Sequence, residues 1–293
     1  MSKTIENKQV FRAELHVHTP SSNCYRGEKN DDEYIKIIET AYKNKIDILA
    51  ITDHNSVRGY YKICSLEQKL RAEYTALSSI NDSKEAKSKI KQLKQVISAF
   101  ESLLLLPGVE FEVNNGVHLL IIFNPETPES VIERFLFDGG YDEKTFGQES
   151  DVFSNWSIFD LFKESKNYDC VVIDAHSDSN KGIFNTLQGQ TRLHAFIDPS
   201  LRGICYKSEK QKVNIEHLLS QYGRKTPISF LKSSDAHQTT EIGRDTSYFR
   251  LEKKSWSYFK EAFNNPTECI STTFPQTFSI LKKSCELGRL PIH

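Results

Sequence analysis

Residues Phe11–Cys24 read FRAELHVHTPSSNC, and histidines stand where an apolar strand would otherwise continue. The run Glu14–Leu15–His16–Val17–His18 alternates in polarity, the pattern of a strand with two different faces. His16 and His18 then share one face and Val17 takes the other. Two imidazoles about 6–7 Å apart along a strand can converge on one metal ion. A satisfied or exposed pair of histidines gives the same His-x-His pattern, so the motif needs support from elsewhere in the chain.

That support recurs. Ile48–His54 reads ILAITDH, an apolar run ending in an acid and a histidine. Pro107–Gly108–Val109–Glu110 is followed by His118 at the head of LLIIF. Cys170–His176 reads CVVIDAH and Phe230–His237 reads FLKSSDAH. Most of these runs carry their acid or histidine at or just beyond the carboxyl end, where parallel α/β sheets and barrels build their sites. Of nine histidines, six (His16, His18, His54, His118, His176 and His237) occupy such places, leaving His194, His217 and His293 elsewhere. One such histidine is commonly a core residue, but six argue for a multi-metal centre with nitrogen and oxygen ligands.

The ordered set LHVHTP, TDHN, Gly-Val-Glu, Ala-His and Ser-Asp-Ala-His resembles the successive motifs of the PHP (polymerase and histidinol phosphatase) superfamily over roughly Phe11–Arg250. Within it, the opening and SSDAHQTTEIGR look most like the PHP domain at the start of TrlF-type ATPase proteins. The resemblance implies an α/β fold, a distorted (β/α)7 barrel with two or three divalent ions, zinc or manganese. Carried over motif by motif, it implies His16, His18, Glu110 and Asp235 on the first ion. His54 and His237 would hold the second, and Glu110 as a bridge, with His118 and His176, the third. Many relatives have a histidine where this chain has Cys24. A cysteine there is either a thiolate ligand that favours zinc or a buried small hydrophobe.

Bound ions and a phosphate ester make phosphoester hydrolysis the natural chemistry, with Glu110, Asp235 and His237 at its centre. Lys181, in the polar loop His176–Gly182, and Arg244, in Glu241–Arg244, are the cations nominated to meet the phosphate, with Arg202 a weaker candidate. Asp53 either orients His54 or caps the following loop. Tyr25 and Tyr60 are candidates for stacking on bases of a polymer substrate. Three functions compete: a nuclease, with defence against foreign nucleic acid as one setting; a phosphatase for a small monoester or nucleotide; and a non-catalytic metal-stabilised domain that holds a partner. The TrlF resemblance implies an ATPase module as partner, although no Gly-x-x-x-x-Gly-Lys-Ser/Thr stretch is present.

At 293 residues a barrel of about 250 would nearly exhaust the chain, so one catalytic domain is expected. Its bounds read as a polar lead at 1–10, a phosphoesterase domain at 11–266 with a helical insertion at 62–106, and a helical extension at 267–293. The insertion comprises helices over Tyr60–Ser79 and Ser83–Leu106, and its lysines read as a solvated face, a contact for nucleic acid, or a partner or homo-oligomer surface. The extension carries a helix over Gln276–Leu287 between Pro275 and Gly288. Acids and bases nearly balance, 39 against 38, which gives no global attraction to nucleic acid. No apolar stretch approaches the ~18 residues of a transmembrane helix, and MSKTIENKQ does not read as a signal peptide. Six scattered cysteines without paired spacing read as reduced thiols of a cytoplasmic protein.

Overall fold

A computed structural model describes residues 8–80, 83–149 and 154–275. The helix expected over Gln276–Leu287 and most of the polar lead lie outside the described residues. Nine strands form one mixed sheet: β1 (Gln9–Val17), β2 (Ile48–His54), β3 (Leu104–Glu112), β4 (His118–Phe123), β5 (Cys170–Asp174), β6 (Leu201–Cys205), β7 (Ser229–Leu231), β8 (Ser247–Leu251) and β9 (Ile270–Ser271). Their order is β7-β6-β5-β4-β3-β2-β1-β8-β9. The β7 edge comes round to β8 through Ser247, whose Oγ accepts from Lys232 N and donates to Lys232 O at 2.9 Å, so the sheet is a nearly closed barrel. It is not uniformly parallel. β4 runs against both β3 and β5, and β8 against β1, while the β1–β2, β2–β3, β5–β6 and β6–β7 pairs are parallel.

The helices are α1 (Asp31–Lys43), α2 (Arg58–Ile80), α3 (Lys84–Glu101), α4 (Glu129–Asp138), α5 (Ile158–Ser165), α6 (Ile183–Thr186), α7 (Gly189–Ile197), α8 (Glu209–Gln221), α9 (Trp256–Ala262) and α10 (Pro266–Cys269). Local chemistry sets their starts. Asn30 caps α1 by accepting from Glu33 N, and Ser83 caps α3 through Ala86 N. Ser157 and Asp160 form a reciprocal capping box on α5. The expected second insertion helix ends early: α3 stops at Glu101 and Leu104–Leu106 open β3, where apolar burial on both faces suits a central strand better than a helix end. The α2–α3 pair is thus the crossover between β2 and β3, buried through Ile63, Leu66, Leu93, Ile97 and Phe100, with the lysines of α3 exposed to solvent. The segment after 266 runs through α10 into the sheet, where β9 pairs with β8.

Two apolar layers result. Leu49, Ile51, Val109, Phe111 and Ile121 face outward onto the helices. Ala13, Leu15, Ile48, Ala50, Leu106, Leu120 and Ile122 face inward and meet Phe259 and Phe263 of the α9 region. That region lies across the amino ends of the parallel strands: Trp256 and Lys260 bond Asp169 just before β5, Lys254 bonds the carbonyl of Ser102 just before β3, and Asn264 bonds Arg202 in β6. The apolar interior is therefore plugged at one end. The polar site occupies the other.

Candidate metal centre

Apart from Cys24, in the loop after β1, the ligand candidates reach this open end from at or near strand termini. His16 and His18 come from the end of β1, His54 from β2, Glu110 from β3, and His176 and His237 from beyond β5 and β7. His118 is the first residue of β4, and the reversed direction of that strand puts its start at the same end. β1 reaches the centre through a bulge: Glu14 pairs with Leu49 and Val17 with Ile51, so β1 holds one residue more than β2 across the interval. Leu15 consequently joins the interior core and Val17 the outer one, where simple alternation would put both on one face. His16 and His18 both still turn to the centre. Asp235 lies at φ 52°, a left-handed conformation that an aspartate tolerates better than most residues.

Glu110 is the hub. Its Oε2 lies 3.0 Å from His16 Nε2, 3.3 Å from His18 Nε2 and 3.2 Å from His54 Nδ1. Its Oε1 lies 2.7 Å from His118 Nδ1 and 3.7 Å from His176 Nε2. Asp235 Oδ1 is 3.4, 3.6 and 3.3 Å from Nε2 of His16, His18 and His237. Among the described residues three groups have donor atoms all within 4.8 Å of one another: His16, His18, Glu110 and Asp235; His18, Cys24 and His54; and His54, Glu110 and His118. The first has the same members as the set implied by the PHP resemblance. In the second, His18 stands beside Cys24 and His54, with His237 Nδ1 3.2 Å from Cys24 Sγ. In the third, His54 stands with Glu110 and His118, and His176 lies just outside.

The donor set fits divalent ions. Both ring nitrogens of His54, Glu110 Oε2, His118 Nε2 and His176 Nε2 are buried without a hydrogen-bond partner, a state that buried polar atoms avoid unless something else satisfies them. His16 Nε2 and His18 Nε2 are 3.2 Å apart, close to the ~3.3 Å that two nitrogens take on a tetrahedral ion with bonds of ~2.0–2.1 Å. Burial alone would raise the Glu110 carboxyl, but the surrounding imidazoles of His16, His54 and His118 hold it well below the usual range. Burial likewise opposes protonation of His18 and His118, yet the carboxylates beside them push these imidazoles up to about 10 and about 9. Burial keeps His54 and His176 low, His176 at about 4. Burial, reinforced by Glu149 and Glu110, pushes the Cys24 thiol up to about 12.

Buried polar residues brace these ligands. Asp53 does not touch the His54 ring: it accepts from Thr19 N, Thr19 Oγ1 and Ser22 Oγ at 2.6–2.7 Å, fixing the turn after β1. Ser22 Oγ in turn lies 3.2 Å from His18 Nδ1 and accepts from His54 N. Glu14, fully buried, accepts from Ser234 N, Ser234 Oγ and Gly243 N and so holds the loop that carries Asp235.

The nominated cations have other partners. Lys181 Nζ lies 2.6 Å from the buried Glu112 carboxylate, and Arg244 Nη2 donates to the Ser234 carbonyl at 2.7 Å. Arg202 bonds Asn264 at the opposite end of the barrel. Tyr25 and Tyr60 are buried, 4% and 6% exposed, and present no stacking face to solvent. Sequence reading missed Glu14, Glu112 and Lys207. Lys207 Nζ lies 3.7 Å from Asp235 Oδ2, just past the end of β6, and its strand-end position was the signal available.

No protein-family model and no curated protein sequence matches the chain. Solved structures do. The lesion-specific endonuclease PfuEndoQ from Pyrococcus furiosus is 14% identical with a TM-score of 0.57, over 88% of this chain and 56% of that one. Endonuclease Q in complex with a 27-mer duplex substrate carrying an abasic lesion at its active site matches at 14% identity and a TM-score of 0.57, over 88% and 57%. This chain shares the distorted α/β-barrel fold of endonuclease Q, and it gathers side chains that could hold metal ions at the barrel's open end. PsfC from Pseudomonas syringae PB-5123 matches more loosely, 13% identical with a TM-score of 0.47 over 83% and 82%. At these identities the likeness is one of fold, and the barrel spans little more than half of endonuclease Q. Among the described residues no helix is long and apolar enough to cross a membrane.

Proposed function

We propose that this PHP-like barrel is a metal-dependent phosphoesterase that hydrolyses phosphodiester bonds in nucleic acid. It would use two or three divalent ions, zinc or manganese, held by His16, His18, Cys24, His54, Glu110, His118, His176, Asp235 and His237. The observation that carries the reading is Glu110: one buried carboxylate within 3.7 Å of five imidazoles, shared between two of the three ligand groups. Ions held there supply positive charge to the oxygens of a phosphoester and acidify water. The chain's own residues do the rest. Glu110 and Asp235 balance charge, Asp53 and Ser22 fix the β1 turn, and Glu14 keeps Asp235 aimed inward.

Nucleic acid as substrate is supported by the fold shared with endonuclease Q, whose complex contains a lesion-bearing duplex. The motif SSDAHQTTEIGR supports the narrower kinship with TrlF-type domains, and with it an ATPase partner. A phosphatase reading rests on depth: His16, His18, His54, Glu110 and His118 are each at most 2% exposed, which suits a terminal phosphate. The deciding experiment is turnover of metal-quantified protein on matched oligonucleotides and small phosphomonoesters, with the His16→Ala/Asp235→Ala protein as control. Metal-dependent shortening of oligonucleotides is expected. Monoester release alone would replace the nuclease reading with the phosphatase one.

A further inference from the structure

The centre is not equally open on all sides. Side-chain exposure is at most 2% for His16, His18, His54, Glu110 and His118, but 11% for His176, 19% for His237 and 20% for Asp235. A phosphate therefore approaches past His176, His237 and Asp235. The two Asp235 oxygens divide accordingly. Oδ1 faces the imidazoles of His16, His18 and His237, whereas Oδ2 lies 4.0 Å from His176 Nδ1 and 3.7 Å from Lys207 Nζ. Lys207 stands on the approach side, its side chain 63% exposed.

The backbone beneath Lys207 is fixed while its side chain is free to swing. Asp178 accepts from Lys207 N at 3.1 and 3.2 Å and from Ser208 N at 2.7 Å, pinning the turn after β6. Among the described residues the ammonium has only the loose contact with Asp235 Oδ2, too long for a hydrogen bond and exposed enough that the attraction is weak. Lys181 and Arg244 differ: each holds its acceptor at 2.6–2.7 Å, and leaving would strand the buried Glu112 carboxylate or free the Ser234 carbonyl.

We infer that Lys207 is the residue that binds the substrate phosphate, closing its ammonium onto a non-bridging oxygen of a phosphoester seated against Asp235, His176 and His237. The inference rests on the phosphoesterase reading and adds to it the residue that captures the anion. A charge-assisted hydrogen bond of this kind corresponds to about tenfold to a hundredfold in affinity.

The test uses the full-length, metal-quantified protein and its Lys207→Ala and Lys207→Arg variants, with two readouts: calorimetric affinity for inorganic phosphate, and KM and kcat on the oligonucleotide. Lys207→Ala should keep the wild-type metal content, weaken phosphate binding and raise KM by about tenfold or more, and lower the salt dependence of oligonucleotide binding by about one phosphate contact. Lys207→Arg should restore most of the affinity. Unchanged phosphate affinity and KM in Lys207→Ala would overturn the inference, and so would a parallel loss of metal, which would make Lys207 a prop for Asp235. A wild-type protein that binds phosphate through Lys207 yet hydrolyses no ester would leave this assignment standing and remove the phosphoesterase reading instead.

Discussion

Sequence nominates Lys181 as a phosphate ligand, and the structure pairs it with Glu112 in a contact whose strength can be worked out. Its ammonium is 2.6 Å from Glu112 Oε1, and the Glu112 side chain is only 2% exposed. Burial works against the Glu112 carboxylate, but the neighbouring His118 imidazole and the Lys181 ammonium hold its pKa below the ordinary value. Removing one partner of a fully buried pair costs about 3–5 kcal/mol. Here Lys181 is 36% exposed and His118 lies 3.4 Å from the other carboxylate oxygen, so water and a second cation absorb part of the loss. Lys181→Met should therefore destabilise the metal-free protein by about 1–3 kcal/mol. Urea unfolding of Lys181→Met, Glu112→Gln and the double variant measures it. The double variant should recover much of the loss, because the two changes act on one contact. Affinity for phosphate should stay near wild type in Lys181→Met. An unchanged unfolding midpoint together with lost phosphate affinity would refute the pairing argument and return Lys181 to the role read from sequence.

Glu110→Gln keeps the shape of the hub but not its charge, and should lower ion occupancy and hydrolysis together; near-normal turnover with full metal content would remove Glu110 from the bridging position. Cobalt-loaded wild-type protein should show a thiolate-to-metal charge-transfer band in the near ultraviolet that disappears in Cys24→Ser, and a band that survives the substitution would show that Cys24 is packing, not a ligand. At the plugged end, burial of Asp169 is outweighed by Lys260, Asn124 and Trp256, which hold its carboxyl below 3.8. Its stabilisation is therefore complete above about pH 3.8 and is lost as pH falls through the lower folded value. Acid titration of Asp169→Asn should show less acid-induced loss of stability than wild type below that pH, and identical acid limbs would contradict the role given to this clamp.

The histidine positions were legible because strand ends in an α/β barrel gather at one mouth, whatever the details of the sheet. The bulge in β1 was not, since it exists only in the register of Glu14 and Val17 against Leu49 and Ile51. Leu104–Leu106 read as the last turn of a helix because a short leucine run has no period of its own, and pairing with β2 decided for a strand. Lys181, Arg244 and Asp53 were visible as charges, but their partners Glu112, Ser234 and Ser22 come from other elements. Tyr25 looked like a stacking residue, yet its hydroxyl donates to Glu33 inside the fold.

The Val17–Ala236 bridge, with Ala236 N donating to His16 O and His18 N to Ala236 O, has a consequence for biosynthesis. The candidate ligands of β1 and those of the loop after β7 are neighbours in space but stand far apart in sequence. On the ribosome, β1 emerges early with its histidines and waits for nearly the whole barrel before Asp235 and His237 arrive. A nascent chain can offer an ion His16, His18 and Cys24, but not the enclosed carboxylate set. The enclosed carboxylate set is thus complete only once β7 has joined the sheet, so an ion held by that set would be taken up after the sheet closes.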